Sequence, residues 1–298
     1  MKNKAVIFVI SLLLSFKCFS QTSGNDSFNI YVFQNRYTND DYFRQHSVFK
    51  FYQFLNQGTI DPNKKSEINE KSIQTALARL YPNNDDQGFL SVDLENDTFN
   101  NLRLYTPGDP RFNNSIEQFA KLISIIKSFR PNVKVGIYGL PYRIYYPGQN
   151  VQNENQKLDR VLSLYDFISP SLYILYPDKE KGSNANVNYL KLNLQTALEY
   201  GKRLNKPVIP FVWYVVAPTN KLYGGEIIDK DQMLSYIATI KNFSWQNQKP
   251  KGVIWWEASD KGFKNMVKLP KRLKTNDTSS IKNIIIYDYT KPLIDNKN

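Results

Sequence analysis

The sequence predicts an α/β fold: a TIM-type barrel of (β/α) units with seven or eight strands and room for irregularity. Three observations carry this. Amphipathic helical stretches alternate with short apolar runs, which is the rhythm of a parallel sheet. Proline or glycine punctuates the passage from helix to strand. No Gly-rich phosphate loop follows the first apolar run, which argues against an open doubly wound sheet, the runner-up architecture. The 298 residues are enough for one barrel with a full core, and no internal repeat breaks the pattern.

Residues 1–20 read as a secretory leader. Lys2 and Lys4 give a basic start, residues 5–16 an apolar core, and Ser20 a small residue before Gln21. The apolar run falls short of the roughly 20 residues that span a bilayer. Cleavage between Ser20 and Gln21 is therefore expected, giving a secreted or periplasmic protein with no membrane attachment. Lys17 beside Cys18 argues against a lipid anchor. The barrel is expected over 21–270, and a closing segment with a loose tail over 271–298.

Within the barrel, 28–34 (FNIYVFQ) is the first strand. Residues 40–56 follow helical spacing, with Phe43, Phe51, Phe54 and Leu55 apolar, and 58–60 is a weak second strand ending at the turn Asp61-Pro62. A helix over 66–80 places Ile68, Ile73, Ala76, Leu77 and Leu80 on one stripe. The next strand, Gly88-Phe89-Leu90-Ser91-Val92, runs straight into Asp93-Leu94-Glu95-Asn96-Asp97. Side chains two apart on a strand share a face, so Asp93 and Glu95 meet at the strand's C-terminal end, where such barrels gather their catalytic groups. The plain alternative is a capping Asp and a solvated Glu opening the next loop.

Pro107-Gly108-Asp109-Pro110 is a break, and Asn114 or Ser115 caps a helix to 129 that turns Ile116, Phe119, Leu122 and Ile126 inward. The strand over 133–138 leads into the aromatic loop Gly139-Leu140-Pro141-Tyr142-Arg143-Ile144-Tyr145-Tyr146. Helix and strand then alternate three more times: 155–164 with 166–173, 186–204 with 206–214, and 229–243 with 252–257. Each of these strands finishes in Tyr, Trp or Glu, which together with Asp93 and Glu95 predicts a common cleft. Residues 264–298 are Lys- and Asn-rich around one apolar patch, Ile284-Ile285-Ile286-Tyr287.

Composition excludes several chemistries. Cys18, the one cysteine, leaves with the leader, so the mature chain has neither a disulfide nor thiol or zinc-thiolate chemistry. His46 is the one histidine and no nucleophile elbow is present, so a Ser-His-Asp triad and a transition-metal site are not expected, nor is any cofactor. Carboxylates, tyrosines and tryptophans remain. The formal charge is +12, or +9 without Lys2, Lys4 and Lys17. That excess favours an acidic polymer, but the lysines are scattered rather than gathered on one helix, so polysaccharide is expected rather than nucleic acid. Twenty Tyr and four Trp suit a surface that stacks on sugar rings, although many must be core. A monomer is expected.

The order of strand endings resembles the hyaluronidases of glycoside hydrolase family 56. The matches are the aromatic first strand, Asp93-Leu94-Glu95, the Tyr138-Gly139-Leu140-Pro141-Tyr142 loop, Pro170-Ser171-Leu172-Tyr173, the stretch from Ala197 to Pro210, and Gly252-Val253-Ile254-Trp255-Trp256. They run in order over residues 28–258, and Pro-Ser-x-Tyr is the most specific. The family's structural cysteines are absent, Ile144 stands where the family has Tyr, and Glu257 follows the last Trp.

The resemblance implies a glycosidase acting on N-acetylhexosamine-containing polysaccharide such as hyaluronan or chondroitin. Two carboxylates this close in sequence cannot flank a scissile bond, as a retaining pair with a protein nucleophile must. Substrate assistance resolves this. Glu95 then serves as acid/base, its pKa raised by burial and by Asp93, while Asp93 orients the 2-acetamido group. Tyr173 bonds the acetamido oxygen, and Trp256 walls the site. Tyr138, Tyr142, Tyr145, Trp213 and Tyr214 are the remaining expected substrate contacts, although Trp213, Tyr214 and Trp255 fit core equally. Glu257 keeps a rival open: Glu95 as acid and Glu257 as nucleophile on a neutral glycan, unless Glu257 merely pairs with Arg143 or a lysine at the rim. A glycan-binding protein without turnover is the third reading.

Overall fold

The computed structural model describes residues 27–270, apart from Asn39 and Asn155, and residues 277–295. The expected leader, its cleavage site and Cys18 lie outside the described residues.

Seven strands are described: β1 (Asn29–Phe33), β2 (Phe49–Leu55), β3 (Gly88–Val92), β4 (Val133–Tyr138), β5 (Phe167–Ser169), β6 (Phe211–Val212) and β7 (Gly252–Trp255). All pair in parallel in the order β5-β4-β3-β2-β1-β7-β6. The two edges, β5 and β6, meet through the isolated bridges Ile168↔Val208 and Ser171↔Phe211, which close the ring. Pro170, Pro207 and Pro210 have no N–H to donate, so the ladder breaks here and both strands are short. Their carbonyls still accept, from Phe211 N–H, Ile168 N–H and Ile254 N–H respectively. The architecture is the TIM-type barrel that the rhythm predicts.

The helical layer comprises α1 (Asp40–Arg44), α2 (Gln57–Ile60), α3 (Glu70–Leu80), α4 (Asp97–Leu104), α5 (Pro110–Phe129), α6 (Asp159–Leu162), α7 (Asp178–Lys181), α8 (Ser183–Leu204), α9 (Lys230–Asn242), α10 (Asp260–Met266) and α11 (Thr278–Asp295). Rings from different strands fill the barrel interior: Tyr31 meets Phe89 at 4.8 Å, Phe89 meets Phe167 at 6.0 Å, and Tyr138 meets Phe211 at 5.0 Å. Gly136 makes the room, because a Cβ there would stand 2.1 Å from the Phe167 ring.

Several sequence readings are corrected. The expected helix over 40–56 is α1 followed by β2. Phe43, Phe51, Phe54 and Leu55 satisfy helical spacing, but aromatics also favour strands, and pairing to both β1 and β3 decides the matter. The expected strand at 58–60 is instead α2, capped by Asn56, whose Oδ1 accepts from Thr59 N–H at 3.0 Å. Asp109, rather than Asn114 or Ser115, caps α5, with Pro110 in its first turn. The expected helix over 155–164 contracts to α6. In the expected closing segment and tail, Thr278–Asp295 form α11, which buries Ile281, Ile285, Ile286 and Tyr289 against the barrel and leaves Ile284 exposed. His46 packs its ring on Tyr42 and Phe49.

Candidate active site

At the C-terminal end of β3, Asp93 N–H donates to Leu55 O of β2 at 2.9 Å, carrying the extended backbone one residue beyond the strand. Leu94 is buried in the helical layer. Asp93 and Glu95 therefore fall on the opposite side, and both line the barrel mouth. Glu95 N–H is held by Gln57 Oε1 at 3.0 Å. Capping of α4 falls to Asn96, whose Oδ1 accepts from Thr98 N–H at 3.0 Å. The cap is thus met without using either carboxylate.

The mouth has two lobes. One, of about 280 Å³, is lined by Asp93, Glu95, Tyr138, Arg143, Tyr173, Trp213 and Trp256, with Phe54 and Met266. The other, of about 260 Å³, is more polar and is lined by Glu95, Tyr138, Arg143, Arg103, Tyr142, Tyr145, Gln149 and Gln152. Glu95, Tyr138 and Arg143 belong to both and mark the junction. In the first lobe the Trp213 and Trp256 rings meet edge-on at 4.6 Å and 79°, and Tyr173 lies 5.8 Å from Trp213 and 6.2 Å from Trp256. Tyr138 Oη donates to Ser171 Oγ at 3.2 Å.

Burial pushes the Asp93 carboxyl up to about 7, and the charge of Glu95 adds to the rise. No hydrogen bond reaches the buried Asp93 Oδ1. Burial also raises Glu95, but Arg143 opposes the rise and Glu95 keeps an exposed side in the cleft. The sequence argument expected the larger effect on Glu95; the deeper position of Asp93 reverses it. Burial holds the Tyr173 hydroxyl well above its ordinary pKa and lifts Tyr138 to about 12, so both are neutral donors at physiological pH.

Two expected contacts are not in the cleft. Tyr214 and Glu257 are fully buried behind its wall, where Tyr214 Oη donates to Glu257 Oε2 at 2.9 Å and Tyr37 Oη to the same oxygen at 3.4 Å. Ala258 N–H donates to Glu257 Oε1 at 3.0 Å, and of the two partners the sequence offered, Arg143 or a lysine, the nearby cation is a lysine, Lys282 of α11. Burial outweighs these partners and pushes the Glu257 carboxyl up to about 7. Tyr142 and Tyr145 line the second lobe, but Tyr142 Oη is spent on Phe99 O at 2.5 Å, and the Tyr145 ring stacks on Tyr189 at 4.7 Å.

The sequence reading missed both arginines of the second lobe. Arg143 was visible as the one cation of the aromatic loop after β4; Arg103, on α4, gave no such signal.

No family model and no curated protein sequence matches the chain. Among solved structures, bee venom hyaluronidase aligns with a TM-score of 0.64 at 14% identity, covering 90% of this chain and 99% of that one. Bee venom hyaluronidase in complex with a hyaluronic acid tetramer gives 0.59 at 14% identity, covering 89% and 96%. An endo-β-N-acetylglucosaminidase from Cordyceps militaris is more distant, with a TM-score of 0.40 at 11% identity over 89% and 81%. The likeness that carries weight is one of fold: over nine-tenths of its length the chain is a barrel similar to that of bee venom hyaluronidase.

Proposed function

We propose that the chain is an exported glycoside hydrolase. It cleaves N-acetylhexosamine-containing polysaccharide of the hyaluronan or chondroitin type by a substrate-assisted, retaining mechanism. The observation that supports this is the carboxylate inventory of the cleft. Among the described residues Asp93 and Glu95 are the only carboxylates that line the two lobes, and both come from the end of one strand. A retaining pair with a protein nucleophile stands about 5 to 5.5 Å apart on opposite sides of the anomeric carbon. Neighbours on one strand face cannot take those positions, and Glu257, which could have faced them, is bonded inside the wall.

The nucleophile is then the substrate's own acetamido oxygen. It attacks the anomeric carbon while Glu95 gives its proton to the departing glycosidic oxygen. Asp93 accepts the acetamido N–H and balances the positive charge of the cyclic intermediate. Tyr173 donates to the acetamido oxygen, and Trp256 and Trp213 enclose the ring. Glu95, now ionised, takes a proton from water as that water attacks the anomeric carbon, which reopens the ring with retention. In the free protein burial raises Asp93 more than Glu95, so the cycle requires the acetamido N–H to draw the negative charge onto Asp93 and leave the shared proton on Glu95.

The test is a size assay of hyaluronan and chondroitin incubated with the mature protein. Glu95→Gln is expected to lower the rate by on the order of 10² to 10⁴, and wild-type products are expected to lack unsaturated uronate. Undiminished cleavage by Glu95→Gln would refute the mechanism. Binding of either polymer without cleavage by wild type would make the chain a glycan-binding protein.

A further inference from the structure

Arg143 is a cation in a cleft without a counterion. Its Nη1 is buried with no hydrogen-bond partner. Among the described residues its guanidinium makes no ion pair; the carboxylate whose charge it touches in the cleft is Glu95, with which it forms none. The groups around it are neutral hydroxyls, those of the buried Tyr173 and Tyr189 and of the half-buried Tyr138 and Tyr145. Removing a guanidinium from water without an anion costs several kcal/mol in general, so such a group persists where a ligand supplies the charge.

The loop that carries it is rigid. On one side of Arg143, Tyr142 N–H donates to Asn153 Oδ1 at 2.9 Å while Asn153 Nδ2 donates to Tyr142 O at 2.8 Å. On the other side, Ile144 N–H donates to Asn193 Oδ1 at 2.9 Å and Asn193 Nδ2 to Ile144 O at 2.8 Å. Both asparagines are buried. Two side-chain amides thus act as strand partners for the peptides flanking one residue, and they fix where its side chain enters the cleft.

The lobes differ in the matching way. The first is aromatic and holds both carboxylates, whereas the second, among the described residues, has no carboxylate besides Glu95 at its edge and adds Arg103, Gln149 and Gln152. We propose that Arg143 seats the anionic substituent of the sugar adjoining the N-acetylhexosamine, so that the second lobe is a subsite for an acidic sugar and Glu95 lies under the bond joining the two. A guanidinium fork takes two oxygens of a sugar carboxylate or of a sulfate ester through two parallel N–H···O bonds, and the probes below separate the two sources. The inference rests on the hydrolase reading for the position of the bond, but its readout is binding, not turnover.

The test is calorimetric titration of the Glu95→Gln protein, which leaves the ligand intact. The probes are a hyaluronan hexasaccharide, its carboxyl-reduced neutral counterpart, and a 6-sulfated N-acetylglucosamine oligomer. The native hexasaccharide is expected to bind 10- to 100-fold more tightly than the reduced one, the range of a charge-assisted pair. Adding Arg143→Gln should erase that ratio, and Arg143→Lys should restore part of it. Equal affinity of the native and reduced probes, together with no gain for the sulfated one, would overturn the proposal, and tighter binding of the sulfated probe than of hyaluronan, lost on Arg143→Gln, would support the anion seat with a sulfate as its occupant. Melting of Arg143→Gln serves as the control: an unpaired cation predicts an unchanged or higher Tm, and a clear fall would show Arg143 to be structural and overturn the proposal. Loss of hydrolysis with these binding ratios intact would count against the enzyme reading and leave the subsite standing.

Discussion

Asp93→Asn separates stability from function. Asp93 titrates near 7 in the folded protein against an ordinary 3.8, because burial and Glu95 both disfavour its charge. The folded pKa is the higher one, so between those values the native state binds the extra proton and stability falls as pH rises. The penalty is absent below about pH 4, grows to about pH 7 and is flat above. At 1.36 kcal/mol per pH unit the rise corresponds to about 4 kcal/mol, and contact with solvent in the open cleft reduces it to about 2 kcal/mol. Asparagine keeps the shape and never ionises. At pH 8.5, Asp93→Asn should therefore be more stable than wild type by about 2 kcal/mol, a Tm higher by about 4–8 °C, with the difference closing toward pH 4. Hydrolysis should nonetheless fall by on the order of 10² or more, because Asn cannot balance the cationic intermediate. Urea titrations followed by tryptophan fluorescence across pH 4–8.5 measure the first effect and polymer-size assays the second. A difference independent of pH, or a less stable variant at pH 8.5, would show that the Asp93 carboxylate is not held against a desolvation cost.

Glu257→Leu should do the reverse. It strands the hydroxyls of Tyr37 and Tyr214 and should cost about 3 kcal/mol by urea titration, yet leave kcat/KM of the folded protein within about threefold; a loss comparable to that of Glu95→Gln would restore Glu257 to the chemistry. Ile286→Ala removes a fully buried side chain of α11 and should lower stability by about 3 kcal/mol in a single transition. An unchanged midpoint would mean that α11 is not part of the cooperative unit.

Much of this was legible in the sequence, because the barrel's periodicity is local. Strands with apolar residues on both faces and helices with one stripe announce themselves over ten residues. The failures lie where two periods fit the same letters. Phe43, Phe51, Phe54 and Leu55 satisfy a helix, and only partners far along the chain make Phe49–Leu55 a strand. The same holds for α11: its inward residues Ile281, Ile285, Ile286 and Tyr289 were diluted by Lys and Asn, and only the surface it covers explains its order. Within the site, the carboxylate pair was visible because i and i+2 face one way. Arg143 was visible as the one cation of its loop, but a single arginine says nothing of its role until its counterions prove to be missing.

The same alternation also settles Glu257. In the extended chain leaving β7, residues 255 and 257 share one side and 256 takes the other; just past β6, 213 and 214 diverge in the same way. Trp213 and Trp256 meet in the cleft at 4.6 Å, whereas Tyr214 stacks on Trp255 at 5.8 Å and bonds Glu257 behind it. Once Trp256 is assigned to the sugar side, Glu257 cannot share it, so the neutral-glycan reading conflicts with the strand's own geometry. What Glu257 does instead bears on the site. With Tyr37 and Tyr214 it ties β7 to β6 and the β1–α1 loop, and Lys282, bonded to Ala258 O and Asp260, brings α11 onto the same segment. The backbone under Trp256 is thereby fixed from behind, so that on the proposed reading a sugar ring arriving in the first lobe meets a wall that need not be ordered on binding.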